Sequence, residues 1–207
     1  GPIALFEAGR VFLDYGEGLP EERQMATGAF AGPRNELHWD ASTAASDFYD
    51  AKGAVEAVLD DLGIATETFE HPPVFTVEEA RTHCGHLPGG HCKNLFLKDK
   101  KGRLWLIVTL ESQAINLKAL NQALGAARFS FGKPELLFET LGATPGSVTP
   151  FALINDLDLR VSVVLDAAMM AMERLNYHPL SNDATTAITP QGLLDLITSF
   201  GHQARIF

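Results

Sequence analysis

The sequence predicts one α/β domain built on a mixed, largely antiparallel sheet with flanking helices, and three patterns carry that prediction. Helical periodicity and strand alternation succeed each other from about Lys52 onward, with no repeat and no linker between them. Two apolar runs, Cys92–Lys98 and Arg103–Leu110, flank the turn Lys98-Asp99-Lys100-Lys101-Gly102, the arrangement of an antiparallel hairpin. Near the end, Leu193, Leu196, Ile197 and Phe200 form one stripe of a helix opened by Thr189-Pro190 and stopped by Gly201.

The elements follow in order. Residues 1–50 are Gly/Pro-punctuated and lack sustained periodicity; Val11-Phe12-Leu13 is the one short strand they offer, and the segment reads as an extension rather than a domain. The chain starts Gly1-Pro2 without methionine, as a tag remnant, a processed end or a displaced start would. Residues 51–207 read as the single folded unit. Val55, Val58, Leu59 and Leu62 share a helix face closed by Gly63. Thr66–Glu70 alternates as a strand and ends at His71-Pro72-Pro73. Thr76 is placed to cap a short helix, with Glu79 in the capping-box position. After the hairpin come helices over Asn116–Leu124 and Pro134–Leu141, strands over Arg160–Leu165 and Thr185–Ile188, the closing helix, and an edge strand over Gln203–Phe207.

Composition bounds the function. The 207 residues are 46% hydrophobic and 20% charged, enough apolar material for one good core. No apolar stretch is long enough to span a bilayer, Cys84 and Cys92 make no disulfide framework, and the cytoplasm is the expected compartment. The net charge of −10 opposes a duplex-DNA partner. The first fifty residues, with three arginines and nine carboxylates, hold −6 of it, leaving −4 elsewhere. Lys98, Lys100, Lys101 and Arg103 cluster at the hairpin tip; such clusters are often solvated turns, yet these four can hold a few phosphates.

Lys93 is the residue that most needs a reason. Strand alternation sets it on one face with Leu95 and Leu97, and an ammonium on a core-side face requires acceptors or an anion. Alone it reads as a snorkelling side chain. Two other segments can complete a site with it: Gly146-Ser147-Val148-Thr149-Pro150, and His178-Pro179-Leu180 with Asn182, Asp183 and Thr185. A competing cluster, His83, Cys84, His86, His91 and Cys92, has zinc-ligand chemistry, but its spacing matches no regular finger or deaminase pattern, so neither metal nor cofactor is expected.

Glu70-His71-Pro72-Pro73-Val74-Phe75-Thr76, Cys92-Lys93-Asn94-Leu95-Phe96-Leu97, Pro145–Phe151 and His178-Pro179-Leu180 stand in that order along the chain. The series resembles the YbaK/prolyl-tRNA synthetase-associated domain family, in particular its free-standing ProX-type members, over roughly residues 52–207. The resemblance implies that family's partly barrel-like mixed sheet and a trans-editing activity: hydrolysis of alanine mischarged onto tRNA(Pro), acting on the acceptor end, with prolyl-tRNA synthetase as a candidate partner. A synthetic pocket sized for proline cannot strongly reject a smaller apolar competitor, so a second, smaller sieve is needed. The resemblance makes Lys93 the functional lysine, holding the terminal phosphate or polarising the ester; a general-base role would require a strongly depressed pKa. Asn94, on the opposite strand face, is a weaker carry-over. Gly146–Pro150 corresponds to the substrate loop, in which glycine lets backbone amides approach the ester. His178 can orient water or bond the ribose, and Asn182 and Thr185 supply short polar groups nearby. No strong base is evident, so the substrate's own ribose hydroxyl is a candidate to help activate water. Two alternatives stay open: a deacylase for cysteinyl-tRNA(Pro) or another small aminoacyl-tRNA, and a non-catalytic module that binds tRNA or a synthetase.

Overall fold

The computed structural model describes residues 3–13, 21–31, 48–74, 77–180 and 182–207. In chain order the elements are β1 (Ile3–Leu13), β2 (Glu21–Ala31), α1 (Phe48–Asp61), β3 (Thr66–Glu70), α2 (Val77–Cys84), β4 (Gly90–Asp99), β5 (Leu104–Leu110), α3 (Leu117–Ala123), β6 (Phe129–Phe131), α4 (Pro134–Leu141), a 3-10 helix (Pro150–Asn155), β7 (Val161–Leu165), α5 (Ala167–Met170), β8 (Leu175–Tyr177), β9 (Ala184–Ile188), α6 (Pro190–Ser199) and β10 (Ala204–Ile206).

Eight strands make the main sheet, in the order β10-β7-β5-β4-β8-β9-β3, with β6 paired to β4 off that path. The sheet is mixed. Pairs β4–β5, β4–β6, β3–β9 and β8–β9 are antiparallel, whereas β10–β7, β5–β7 and β4–β8 are parallel. Alternation along β4 and β5 divides the core in two. Phe96, Leu104, Leu106 and Val108 pack with α1, α4, α6 and the 3-10 helix. Leu97, Trp105 and Ile107 face the other way, under Leu120 and Leu124 of the α3 segment. On α6 the predicted stripe is buried, and burying each such side chain contributes about 1.5–3 kcal/mol. Thr189 caps that helix by accepting from the Gly192 amide at 3.0 Å. Asn116 does the same for α3.

The structure departs from the sequence reading in identifiable places. Before residue 50, β1 and β2 are eleven residues each and pair antiparallel from Ile3↔Ala31 to Leu13↔Glu21, where Val11-Phe12-Leu13 was the one strand expected. Alanine and glycine are frequent in β2 and dilute the alternation that marks a strand. Helix α1 starts at Phe48, ahead of its apolar stripe. Strands β6 and β8 span three residues each, too short for a periodic signal. The loop after Val148 runs straight into a 3-10 helix. The expected Thr76 cap and the Gly1-Pro2 start lie outside the described residues. No helix among the described residues is long and apolar enough to cross a membrane.

Candidate active site at a gap in the sheet

Strand β4 changes neighbours along its length. On one side β5 pairs with it from Cys92 to Lys98. On the other, β8 meets it at Gly90 and His91, and β6 at Leu97, Lys98 and Asp99. Among the described residues no strand lies beside 92–96 on that side. Lys93 and Asn94 sit in this gap.

Lys93 projects on the Leu95–Leu97 face, as alternation requires. Its ammonium donates to the Glu111 carbonyl at 3.0 Å and to the Gln113 carbonyl, both in the loop joining β5 to α3. These acceptors are neutral dipoles, and no ion pair involves Lys93 among the described residues. The positive charge is therefore solvated by the fold but not cancelled. Asn94 points to the opposite face, where its Nδ2 donates to the Val148 carbonyl at 2.8 Å. That bond ties β4 to the Gly146–Pro150 loop. Its Oδ1 is buried without a partner, an acceptor left over once the loop is held.

The loop has its own logic. Gly146 adopts φ +96° with open space around it, so the backbone conformation rather than crowding demands glycine. Ser147 closes the turn, its amide and hydroxyl each donating to the Thr144 carbonyl at 3.0 Å. Thr149 is buried and caps the 3-10 helix, accepting from the Phe151 amide at 3.4 Å, while Pro150 opens that helix. Ser147 and Val148 are half-buried and Gly146 is exposed, so this half of the loop faces outward.

His178 follows Tyr177, a core residue whose hydroxyl donates to Met169 Sδ at 3.3 Å. His178 itself lies one residue beyond β8, whose pairing with β4 covers Gly90–Leu175 and His91–Asn176. His178 Nδ1 lies 3.3 Å from the Ala184 carbonyl. A carbonyl can only accept, so Nδ1 carries the hydrogen and Nε2 keeps its lone pair. Burial lowers the His178 pKa below its ordinary value, opposed by the Ala184 carbonyl and assisted by His71, so the ring is neutral near pH 7. Burial pushes the Cys92 thiol up to about 11, which removes it as a nucleophile at neutral pH.

Asn182 and Thr185 are engaged with the His71-Pro72-Pro73-Val74 segment. The Asn182 carbonyl accepts from the Val74 amide at 2.8 Å, and its Nδ2 donates to the Val74 carbonyl at 3.3 Å. His71 Nδ1 donates to the Pro72 carbonyl at 2.9 Å, so its Nε2 accepts from the buried Thr185 hydroxyl at 3.0 Å. The two motifs thus clip together and hold the turn that carries His178. Sequence reasoning quoted His71 as part of a motif but gave it no role; its place beside Pro-Pro was the available signal.

The zinc-type cluster disperses. His83 and His86 are exposed, Cys84 is buried 3.5 Å from the Thr185 hydroxyl, and no metal-holding group of three His, Cys, Asp or Glu gathers among the described residues. At the hairpin tip Lys98, Lys100 and Lys101 are exposed. Arg103 differs: its Nε donates to the buried Asp99 carboxylate at 2.8 Å and its guanidinium lies 5.3 Å from the Trp105 ring centre.

Residues 71–196 match the family model of the aminoacyl-tRNA editing domain. The chain belongs to that family. It is 41% identical over 156 residues to the prolyl-tRNA synthetase associated domain-containing protein 1 of Bos taurus, covering 73% of this chain and 91% of that one. It is 36% identical over 154 residues to the prolyl-tRNA editing protein ProX of Acetoanaerobium sticklandii, covering 74% and 94%. Among solved structures, a putative trans-editing enzyme for prolyl tRNA synthetase shares the fold with a TM-score of 0.59, at 22% identity over 75% of this chain and 95% of that one. The editing-domain span contains Lys93, Asn94, the Gly146–Pro150 loop and His178, and so the whole gap in the sheet. A second family model, the phenylalanyl tRNA synthetase beta chain CLM domain, matches residues 2–102. It takes in β1, β2 and α1, which the sequence reading left without a relative. In keeping with that match, 90 residues are 33% identical to the phenylalanine–tRNA ligase beta subunit of Dehalococcoides mccartyi, 42% of this chain and 11% of that one.

Proposed function

We propose that this protein is a trans-editing hydrolase that deacylates alanyl-tRNA(Pro), with residues 51–207 as the editing unit and 1–50 outside it. The observation that carries the reading is the gap in β4, which holds a lysine solvated by carbonyls on one face and the loop-bound Asn94 on the other, in a chain 36% identical to ProX over nearly all of that protein. An aminoacyl ester is already activated, so placing a water and stabilising the oxyanion is most of the task. Lys93 holds the terminal phosphate or the ester oxygen. Amides of the Gly146–Pro150 loop other than that of Ser147, which is bonded to Thr144, face the developing oxyanion, and Asn94 fixes that loop. The Nε2 lone pair of His178 orients the water, helped by the substrate's ribose hydroxyl. Asn182 and Thr185 border the pocket through the His178 turn, and Lys98, Lys100 and Lys101 take acceptor-strand phosphates; Arg103, expected to join them, is paired with Asp99 instead. The partners are aminoacylated tRNA(Pro) and, through it, prolyl-tRNA synthetase; the compartment is the cytoplasm, and no cofactor takes part.

The test is deacylation of alanyl-, prolyl- and cysteinyl-tRNA(Pro) by sub-stoichiometric protein. Rapid loss of alanine alone is the expected result. Loss of cysteine instead moves the substrate and keeps the chemistry. Survival of all three esters makes the protein a binding module, a second reading that the synthetase beta-chain match over residues 2–102 favours.

A further inference from the structure

We propose that the exposed ring of Phe131, at the cation-rich end of the sheet and two residues before Lys133, is a stacking platform for an unpaired nucleobase of the tRNA acceptor strand. The proposal rests on the editing reading for the identity of the RNA. Its physical basis is a contrast within one short strand. Phe129 and Phe131 alternate to the same face of β6. Phe129 is buried edge-on against Trp105, with ring centres 5.6 Å apart, and helps close the core under α3. Phe131 is 66% exposed, so folding does not account for an aromatic ring there.

Register sets its direction. Phe131 pairs opposite Leu97, and directly opposed residues of an antiparallel pair project to the same face. That is the face from which Lys93 projects. Along β4, Lys93 and Leu97 are roughly 13 Å apart at the usual rise of a strand. Stacked nucleotides rise about 3.4 Å each, so a base reaching Phe131 would lie only a few nucleotides from one whose phosphate meets Lys93.

Charge selects the partner. Of the 16 lysines and arginines in the chain three precede residue 51, and six of the remaining 13 are Lys98, Lys100, Lys101, Arg103, Arg128 and Lys133. The Arg128 carbonyl accepts from the Lys100 amide at 3.2 Å, and the Ser130 hydroxyl donates to the Lys98 carbonyl at 3.2 Å, which ties the β6 segment to the hairpin tip; by alternation Lys98 and Arg128 project from the face opposite Phe131. Asp99 is spent on Arg103, which leaves Glu135 as the carboxylate nearest in sequence to Lys133. An exposed ring at a cation-rich end of the sheet, on a protein of net charge −10, is complementary to a polyanion with π-faces.

The experiment measures affinity for uncharged tRNA by fluorescence anisotropy, for wild type, F131A, F131L, F131W and K133Q, with wild-type hydrolysis assayed separately. Both F131A and F131L should weaken binding about tenfold, and F131W should restore it, because stacking needs a π-face and not merely an apolar one. K133Q should reduce the slope of log affinity against log salt by about one. Wild-type affinity in F131L overturns the platform, including the case in which the patch docks a protein. Wild type that binds tRNA through Phe131 but hydrolyses no ester removes the editing reading and leaves the platform standing. Normal hydrolysis with unchanged F131L affinity does the reverse, and a wild type that binds no tRNA removes both.

Discussion

The two ends of strand β4 each hold a cation next to core residues, and they treat its charge in opposite ways. At the Lys93 end the acceptors are the Glu111 and Gln113 carbonyls, which solvate the ammonium and leave the charge in place. At the hairpin end Arg103 meets the buried Asp99 carboxylate at 2.8 Å. The amides of Lys101 and Arg103 donate to the same carboxylate at 2.8 Å and 3.0 Å. Burial alone would raise the Asp99 pKa; the hydrogen bonds and charge of Arg103, with those two amides, outweigh it and hold the carboxyl below its ordinary value. A cation solvated by dipoles can still attract a phosphate, whereas one paired with a carboxylate has become part of the turn. Lys93 is left with its charge solvated by dipoles, whereas Arg103 uses its own in the turn.

The sharpest way to break this contrast is at Lys93. Lys93→Ala should lower kcat/KM for the aminoacyl ester by at least about a hundredfold, the scale of losing one charged group at a reacting centre. Thermal stability should hold within about 0.5 kcal/mol, since the carbonyls it leaves can turn to water. Steady-state kinetics beside a melting curve decide it. Wild-type turnover in this variant removes Lys93 from the chemistry, and a large loss of stability makes it a structural lysine like Arg103.

Asp99→Ala should give the mirror image. It removes the acceptor of three charge-assisted hydrogen bonds and strands the Lys101 and Arg103 amides, at a cost of about 2–4 kcal/mol. Turnover per folded molecule should stay near wild type, because Asp99 is roughly 20 Å along the strand from Lys93. Urea unfolding measures the first and active-site-normalised kcat the second. A kcat that falls with stability unchanged would mean that the two ends are coupled.

What was legible in the sequence follows the range of the interactions involved. Helix starts at Asn116, Pro134 and Thr189 were visible because a cap is settled within a turn of chain. The face of Lys93 was visible because alternation is local too. The gap beside Lys93 and Asn94 was not, since it depends on where β6 and β8, far along the chain, stop pairing with β4. Nor was the work of Asn94, whose partner Val148 is 54 residues away. Asn182 and Thr185 stood out as polar groups near His178, but their bonds to Val74 and His71 across more than 100 residues could not be read from either segment. Phe131 was overlooked because three residues give no periodicity, although Phe129-Ser130-Phe131 beside Lys133 is itself an aromatic-basic pattern.

The smallest effect separates the histidines from the carboxylate. His202 is buried 3.6 Å from Asp156, whose oxygens accept from the Arg160 and Val161 amides. Burial lowers the His202 pKa, and the Asp156 charge and nearby backbone only partly oppose it. His178 is lowered as well. A group depressed in the fold is protonated first in the unfolded chain. As pH falls below the ordinary histidine value near 6.5, the unfolded state therefore binds more protons and stability drops. Asp99 contributes nothing to this window, because its carboxyl stays ionised in both states until the pH approaches the ordinary carboxylate range. Wild type should thus lose stability between pH 7.5 and 5.5, and His202→Asn should show a shallower loss over the same range, whatever its stability at pH 7.5. Parallel curves for the two proteins would mean that the His202–Asp156 contact keeps the ring charged, and the buried core end of the sheet would then hold an ion pair of the kind Arg103 makes at the surface.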